Sequence, residues 1–188
     1  TLSRIGIKEA DFLVQCQASF KQGSQFDGWV TGEAGDSYNH PFELPISRIG
    51  NDLLHVWQSV VPDKPFAQAV CVQASQSLQG LAPRQSSMPD FVGAINYAYH
   101  LDAVKMAEVL RSHVVDKLGV TYISDHVTKI NGSKSEPIQS LTTRENGDVQ
   151  GDLFVDCTGN ASIMLGGHYG VEFIDQSHIL FNDRAIVT

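Results

Sequence analysis

Asp152-Leu153-Phe154-Val155-Asp156-Cys157-Thr158-Gly159 is the stretch on which the reading of the fold turns. Three consecutive apolar residues run into an acidic residue, a cysteine and a Thr-Gly pair. A short apolar run closed by glycine reads as a strand that ends in a turn. Glycine at that turn lets the backbone pass close to a bound nucleotide, since no Cβ intervenes. Taken alone, the same residues also describe an ordinary strand and a tight turn.

Working outward from this stretch gives it context. Strand-like segments precede it at Val149 to Asp156 (which takes in its first half), Ile138 to Thr143, His126 to Ile130 and Val120 to Ile123, with a turn at Asn131-Gly132. Before them, Val104, Ala107, Leu110, Val114 and Leu118 recur at spacings of three and four, one face of a helix from Asp102 to Leu118. Asp102 suits its N-cap and Gly119 the glycine past its end. Helix, strand, meander, strand and Thr-Gly together suit the second part of an α/β nucleotide-binding domain.

The earlier half is less regular. Phe12, Leu13, Cys16 and Phe20 predict a helix over Glu9 to Lys21, ended by Gly23. Gln25 to Val30 reads as a strand, Thr31 to Pro45 as a loop, and Ile46 to Val60 and Phe66 to Leu78 as helices. Gln73 to Gln85, rich in Gln and Ser, reads as a helix tail entering a surface loop. No GxGxxG turn is present, although a dinucleotide fold needs one to bring backbone N–H groups to the pyrophosphate.

Composition narrows the function classes. The 188 residues are 42 % hydrophobic and 18 % charged, with mean hydropathy −0.11, as in ordinary globular proteins. Thirteen basic against 21 acidic residues give a net charge of −8. That disfavours nucleic-acid and anionic-membrane partners, which need a basic face. No 18-residue apolar run predicts a transmembrane helix, and no signal peptide is visible at Thr1-Leu2-Ser3. Cys16, Cys71 and Cys157 lack CxxC spacing, so a reduced, cytoplasmic setting is expected, without a metal site or disulfide framework. The Asn131-Gly132-Ser133 and Asn160-Ala161-Ser162 triplets then read as turns rather than glycosylation sites.

Four groups of side chains could carry chemistry. Thr158-Gly159 could lie against a cofactor. His100, beside the Asp102 helix start, could meet a ligand or be a structural residue. Lys21 would be a nucleophilic or hydrogen-bonding amine if buried, or would point to water near a helix end. Tyr38-Asn39-His40-Pro41-Phe42 brackets a proline with rings that could stack on a planar substrate or pin the loop.

The order of these stretches resembles the flavin-dependent halogenases of the tryptophan halogenase family. The resemblance rests on Phe20-Lys21 before Phe26-Asp27-Gly28-Trp29, on His40-Pro41-Phe42, on Tyr99 to Ala103, on Asp125-His126-Val127 and on Asp152 to Gly159. It runs from about Ile5 to Thr188. It implies a partial FAD/NAD(P)-binding, Rossmann-like domain of the glutathione-reductase type, with added substrate-side helices. It also implies that residues 1–188 are an internal fragment of a single FAD-dependent halogenase domain, without the N-terminal glycine-rich turn or the C-terminal part. Family members use reduced flavin, oxygen and halide to make hypohalous acid, which a lysine delivers to an electron-rich ring such as that of tryptophan. A separate flavin reductase supplies the reduced FAD. On that pattern Lys21 is the catalytic lysine, and His40 and Phe42 flank the aromatic substrate. Val127 lies beside the flavin's adenosine, and Thr158 and Gly159 belong to the cofactor-side turn. Two other readings stand beside it: a flavin-dependent aromatic monooxygenase, which needs no lysine, and a non-catalytic α/β binding module.

Overall fold

Helix α1 (Glu9–Gln15) is shorter than its apolar spacing predicts. Cys16 leaves the helical run and Gln17 adopts φ 48°, a left-handed turn that reverses the chain. Ser19–Lys21 then forms strand β1 rather than the end of a helix. Its partner is β4 (Ala98–His100), antiparallel, with Phe20 opposite Tyr99 and Lys21 opposite Ala98. That long-range ladder outweighs the helical spacing of Phe20, and Gly23 consequently lies in a strand instead of closing a helix.

The computed structural model describes residues 1–45 and 52–186. It divides into two units, Thr1–Val120 and Thr121–Thr188.

In the first unit, β2 (Gly23–Asp27) and β3 (Ser37–Pro41) make an antiparallel hairpin. The expected loop over Thr31 to Pro45 therefore contains a strand. Phe26 stacks on Tyr38 across this pair, with ring centroids 4.9 Å apart, a cross-strand contact that fixes register. The loop itself is folded by Asp36, whose Oδ2 accepts the N–H groups of Val30, Thr31 and Gly32. These bonds, that from Thr31 foremost, hold the carboxyl below its ordinary range.

Helix α2 covers Leu53–Val60. Residues 46–51 of the helix expected there lie outside the described residues. The helix expected over Phe66 to Leu78 is broken at Cys71, which is extended, into α3 (Phe66–Val70) and α4 (Val72–Leu78). Gln73 is fully buried rather than part of a surface tail. Its amide accepts from Glu43 N and donates to Asn96 O, both at 2.6 Å.

Helix α5 (Ala103–Leu118) has the predicted caps: Asp102 Oδ1 accepts from Val104 N and Lys105 N, and Gly119 follows in the left-handed conformation. Its packed face differs from the expected stripe. Met106, Val109 and Leu110 meet Ile7, Phe12 and Cys16, while Val104 is 70 % exposed. Burying Phe12 contributes about 1.5–3 kcal/mol.

In the second unit, β5 (Val127–Asn131), β6 (Ser140–Thr143) and β7 (Gly147–Gln150) form an antiparallel meander. Asp125 closes it: its Oδ2 accepts from the Asn146 side chain and from Glu145 N and Asn146 N. These donors hold its carboxyl well below the usual range, with the Asn146 side chain contributing most. Of the strands expected at Val120 to Ile123 and Val149 to Asp156, only Val149 and Gln150 join a ladder among the described residues, as the end of β7. An apolar run becomes a strand only when a neighbour completes its hydrogen bonds, and Leu153 and Val155 are 82 % and 71 % exposed.

Candidate functional site

Lys21 ends β1, and His40 sits in β3 with Ser24 opposite it. The step from Lys21 to Gly23 carries the chain from one strand pair to the next. Gly23 makes that step close-packed: a Cβ there would meet His40 O at 2.6 Å and Pro41 Cα at 2.9 Å. The backbone of Gln22 then accepts from Phe42 N at 3.2 Å, and Gln22 Nε2 donates to Leu81 O at 2.7 Å.

The result is a cavity of about 480 Å³ walled by Lys21, Gln22, His40, His100, Leu78 and Leu81. That volume suits a small aromatic molecule. Lys21 Nζ lies 5.9 Å from the centroid of the Phe42 ring, within cation–π range. The structure thus brings Lys21, His40 and Phe42 together. It adds His100, which lies in β4 opposite Ser19, two residues before the helix cap.

Sequence reasoning missed the group behind this wall. Glu9, 1 % exposed, accepts from Tyr97 Oη at 2.6 Å, Tyr99 Oη at 2.5 Å and Phe91 N at 2.8 Å, and pairs with Arg84. Its backbone N–H donates to Asp90 Oδ2 at 3.1 Å. Burial, and then the hydrogen bond to Tyr97, push the Tyr99 phenol up, so it remains a donor. No local pattern marks Glu9, because its hydrogen-bond partners lie 81 to 90 residues away.

In the second unit, Thr158 donates its hydroxyl to Asp156 Oδ1 at 2.6 Å and accepts from Ile163 N at 3.1 Å. Asp156 Oδ2 accepts from Met164 N and Leu165 N, at the start of a π-helical turn over Ile163–His168. The Thr158 hydroxyl, followed by these backbone donors, holds Asp156 down to about 2. Gly159 has φ 63°, and a Cβ there would meet nothing within 4 Å. Its left-handed backbone is open to close approach, as a glycine beside a flat ligand would be. Val127 begins β5 at a register irregularity and is 39 % exposed. Val127 stands on a separate strand, β5, and the open backbone at Gly159 suits the close approach of a flavin nucleotide. Among the described residues there is no glycine-rich turn for its phosphates, nor any group of three or more His, Cys, Asp or Glu side chains placed for a metal.

The family model described as tryptophan halogenase matches residues 1–188. The chain belongs to the tryptophan halogenase family. Its relatives include the tryptophan 6-halogenase ThaL of Streptomyces albogriseolus, 31 % identical over 98 % of this chain and 37 % of the relative. The tryptophan 7-halogenase RebH of Lentzea aerocolonigenes is 29 % identical, with the same shares. A crystal structure of a tryptophan halogenase from Shewanella frigidimarina aligns over 97 % of this chain and 35 % of its own, with 44 % identity and a TM-score of 0.84. The α/β class and the Rossmann-like halogenase fold expected from the sequence therefore hold over this length. The chain spans a little over a third of the curated halogenases it matches.

Proposed function

We propose that the chain is an internal portion of a single FAD-dependent halogenase domain that halogenates tryptophan or another electron-rich aromatic, with Lys21 delivering the halogen. The observation that carries this reading is that Lys21 and His40 line one cavity of about 480 Å³, while Lys21 Nζ lies 5.9 Å from the centroid of the Phe42 ring. Membership of the halogenase family supports the reaction class.

Reduced FAD and oxygen supply the two-electron oxidation that converts chloride or bromide to hypohalous acid. The remaining work falls to side chains. His40 and Phe42 hold a planar ring against the cavity wall. Lys21 hydrogen-bonds the oxygen of hypohalous acid and aims its halogen at the ring. The ring carbon attacks the halogen, so the carbon–halogen bond forms and the oxygen–halogen bond breaks. The oxygen keeps the electron pair and takes a proton, and the ring loses its own. The net change is an aromatic C–H and hypohalous acid to an aryl halide and water. Val127, Thr158 and Gly159 would flank a bound flavin nucleotide, with Asp156 holding Thr158 in place. A separate flavin reductase is the functional partner. A cytoplasmic setting accords with Cys16, Cys71 and Cys157 all being free thiols. Among the described residues no helix is long and apolar enough to cross a membrane.

Full-length protein given reduced flavin, oxygen, halide and tryptophan or indole should yield product in which one hydrogen is replaced by halogen, read by mass spectrometry. Lys21→Ala should abolish that product while flavin oxidation continues. A hydroxylated product, or normal halogenation by Lys21→Ala, overturns the assignment.

A further inference from the structure

We propose that Glu9 is a positioning residue for Lys21, acting through Tyr99; the proposal rests on the halogenase reading above. Strand β1 carries Lys21 and has one ladder partner among the described residues, β4, with Tyr99 opposite Phe20 and Ala98 opposite Lys21. Three residues make a very short ladder, too few to fix a strand without further anchors. Glu9 supplies the anchor.

The Glu9 carboxylate divides its work between two oxygens. Oε1 takes both phenol hydroxyls, Tyr97 at 2.6 Å and Tyr99 at 2.5 Å. Oε2 takes Phe91 N–H and the Arg84 guanidinium, which also donates to Met88 O at 2.5 Å. The first oxygen therefore fixes β4, and the second fixes the segment that leads to it. Phe91 has φ 62°, an uncommon conformation for a residue with a Cβ, held by its bond to Glu9.

The two tyrosine rings transmit this anchor to β1. Phe20, beside Lys21, packs edge-on to Tyr97 at 5.1 Å and tilted on Tyr99 at 6.1 Å, while Tyr99 meets Phe12 of α1 at 4.9 Å. Lys21 thus stands on a strand whose other face is clamped by a buried, fully partnered carboxylate. Delivery of halogen depends on where the lysine nitrogen sits, and a displacement of about 1 Å in such a group costs on the order of 100-fold in rate.

Tyr99→Phe tests this with the least disturbance, because it removes the hydroxyl and keeps the ring. Glu9→Gln is the second variant: it retains an acceptor for the tyrosines but turns an N–H toward Phe91 N–H and Arg84. In full-length protein, the readout is halogenated product per flavin oxidised, with melting temperature and escaped hypohalous acid measured alongside. Tyr99→Phe should lower that ratio about tenfold and raise escaped oxidant, while the protein stays folded and flavin oxidation continues. A purely structural role would lower the melting temperature yet leave the ratio at the wild-type value, and that result overturns the proposal. If Glu9→Gln does not fold, Tyr99→Phe alone decides. Lys21→Ala is run in parallel. If it lacks product while Tyr99→Phe keeps the normal ratio, this proposal alone fails. If Lys21→Ala halogenates normally, the functional reading fails and takes this proposal with it.

Discussion

The two units bury their apolar residues to different degrees. In Thr1–Val120 a cluster of Ile7, Phe12 and Cys16 is closed over by Leu101, Met106, Val109 and Leu110, and a buried carboxylate with four partners sits beside it. In Thr121–Thr188 only Ile138 and Met164 are buried hydrophobics among the described residues, while Phe173, Phe181 and Ile186 are each more than 80 % exposed. The first unit is held by side-chain packing. The second is held largely by a hydrogen-bonded meander and by carboxylates that collect backbone N–H groups, Asp125 at one end and Asp156 at the other. Lys21 stands on the packed unit, where position can be kept to a fraction of an ångström. The residues proposed for the flavin flank stand on the unit whose backbone is more open.

The largest test of this contrast is a pair of truncations. Phe12→Ala should cost about 3–5 kcal/mol, since it empties the centre of the packed cluster. In the polypeptide of residues 1–188, Leu153→Ala, at a residue 82 % exposed there, should stay within about 0.5 kcal/mol. Denaturant titration of both variants checks the difference, and equal losses would break the comparison. A smaller effect is expected from Gly23→Ala, whose new methyl would meet the backbone oxygen of His40. Backbone cannot swing aside as a flexible side chain does, so a cost of about 1–3 kcal/mol follows. It should appear as faster amide exchange in β2 and β3, and the amides of β5 to β7 should be unaffected.

What could be read from the sequence divides along the same physical line. The caps of α5 were legible because Asp102 and Gly119 act within a few residues of the helix they bound. The order of Lys21, His40, Phe42, Tyr99 and Asp152 to Gly159 was legible as a family pattern, and the family model over residues 1–188 bears out the family. The end of α1 was not legible. Ser19 to Lys21 leaves helical geometry to pair with a strand some 80 residues on, and no local propensity reports such a partner. The packed face of α5 was misplaced for a related reason: several faces carry apolar residues, and the one used is chosen by Phe12 and Cys16. Glu9 was invisible because an acidic residue in a first helical turn ordinarily complements the helix dipole at the surface. Burial and distant tyrosines gave it a different task.

The finest test addresses how the second unit holds its turn. The Asp156 carboxyl lies at about 2 in the folded chain, against about 3.9 for a free aspartate. A depressed value means that the charged form favours the folded turn. Its contribution is complete above about pH 3.9 and is lost as pH falls through the folded value. Protection of the Met164 and Leu165 amides, which donate to Asp156 Oδ2, should therefore be steady from neutral pH down to about pH 4 and fall between there and about pH 2. Asp156→Asn removes the titrating group, so its protection at these two amides should be lower and flat across the window. Asp125 shifts in the same direction but is present in both proteins, so its effect cancels in the difference. Exchange rates corrected for intrinsic pH dependence make the measurement. Identical profiles in the two proteins would mean that the π-helical turn is held by its own backbone and that Asp156 only decorates it. A difference present above about pH 4 and lost through the acid window would show that the open unit keeps Thr158 and Gly159 in place through one charged carboxylate, where the packed unit keeps Lys21 in place through a core.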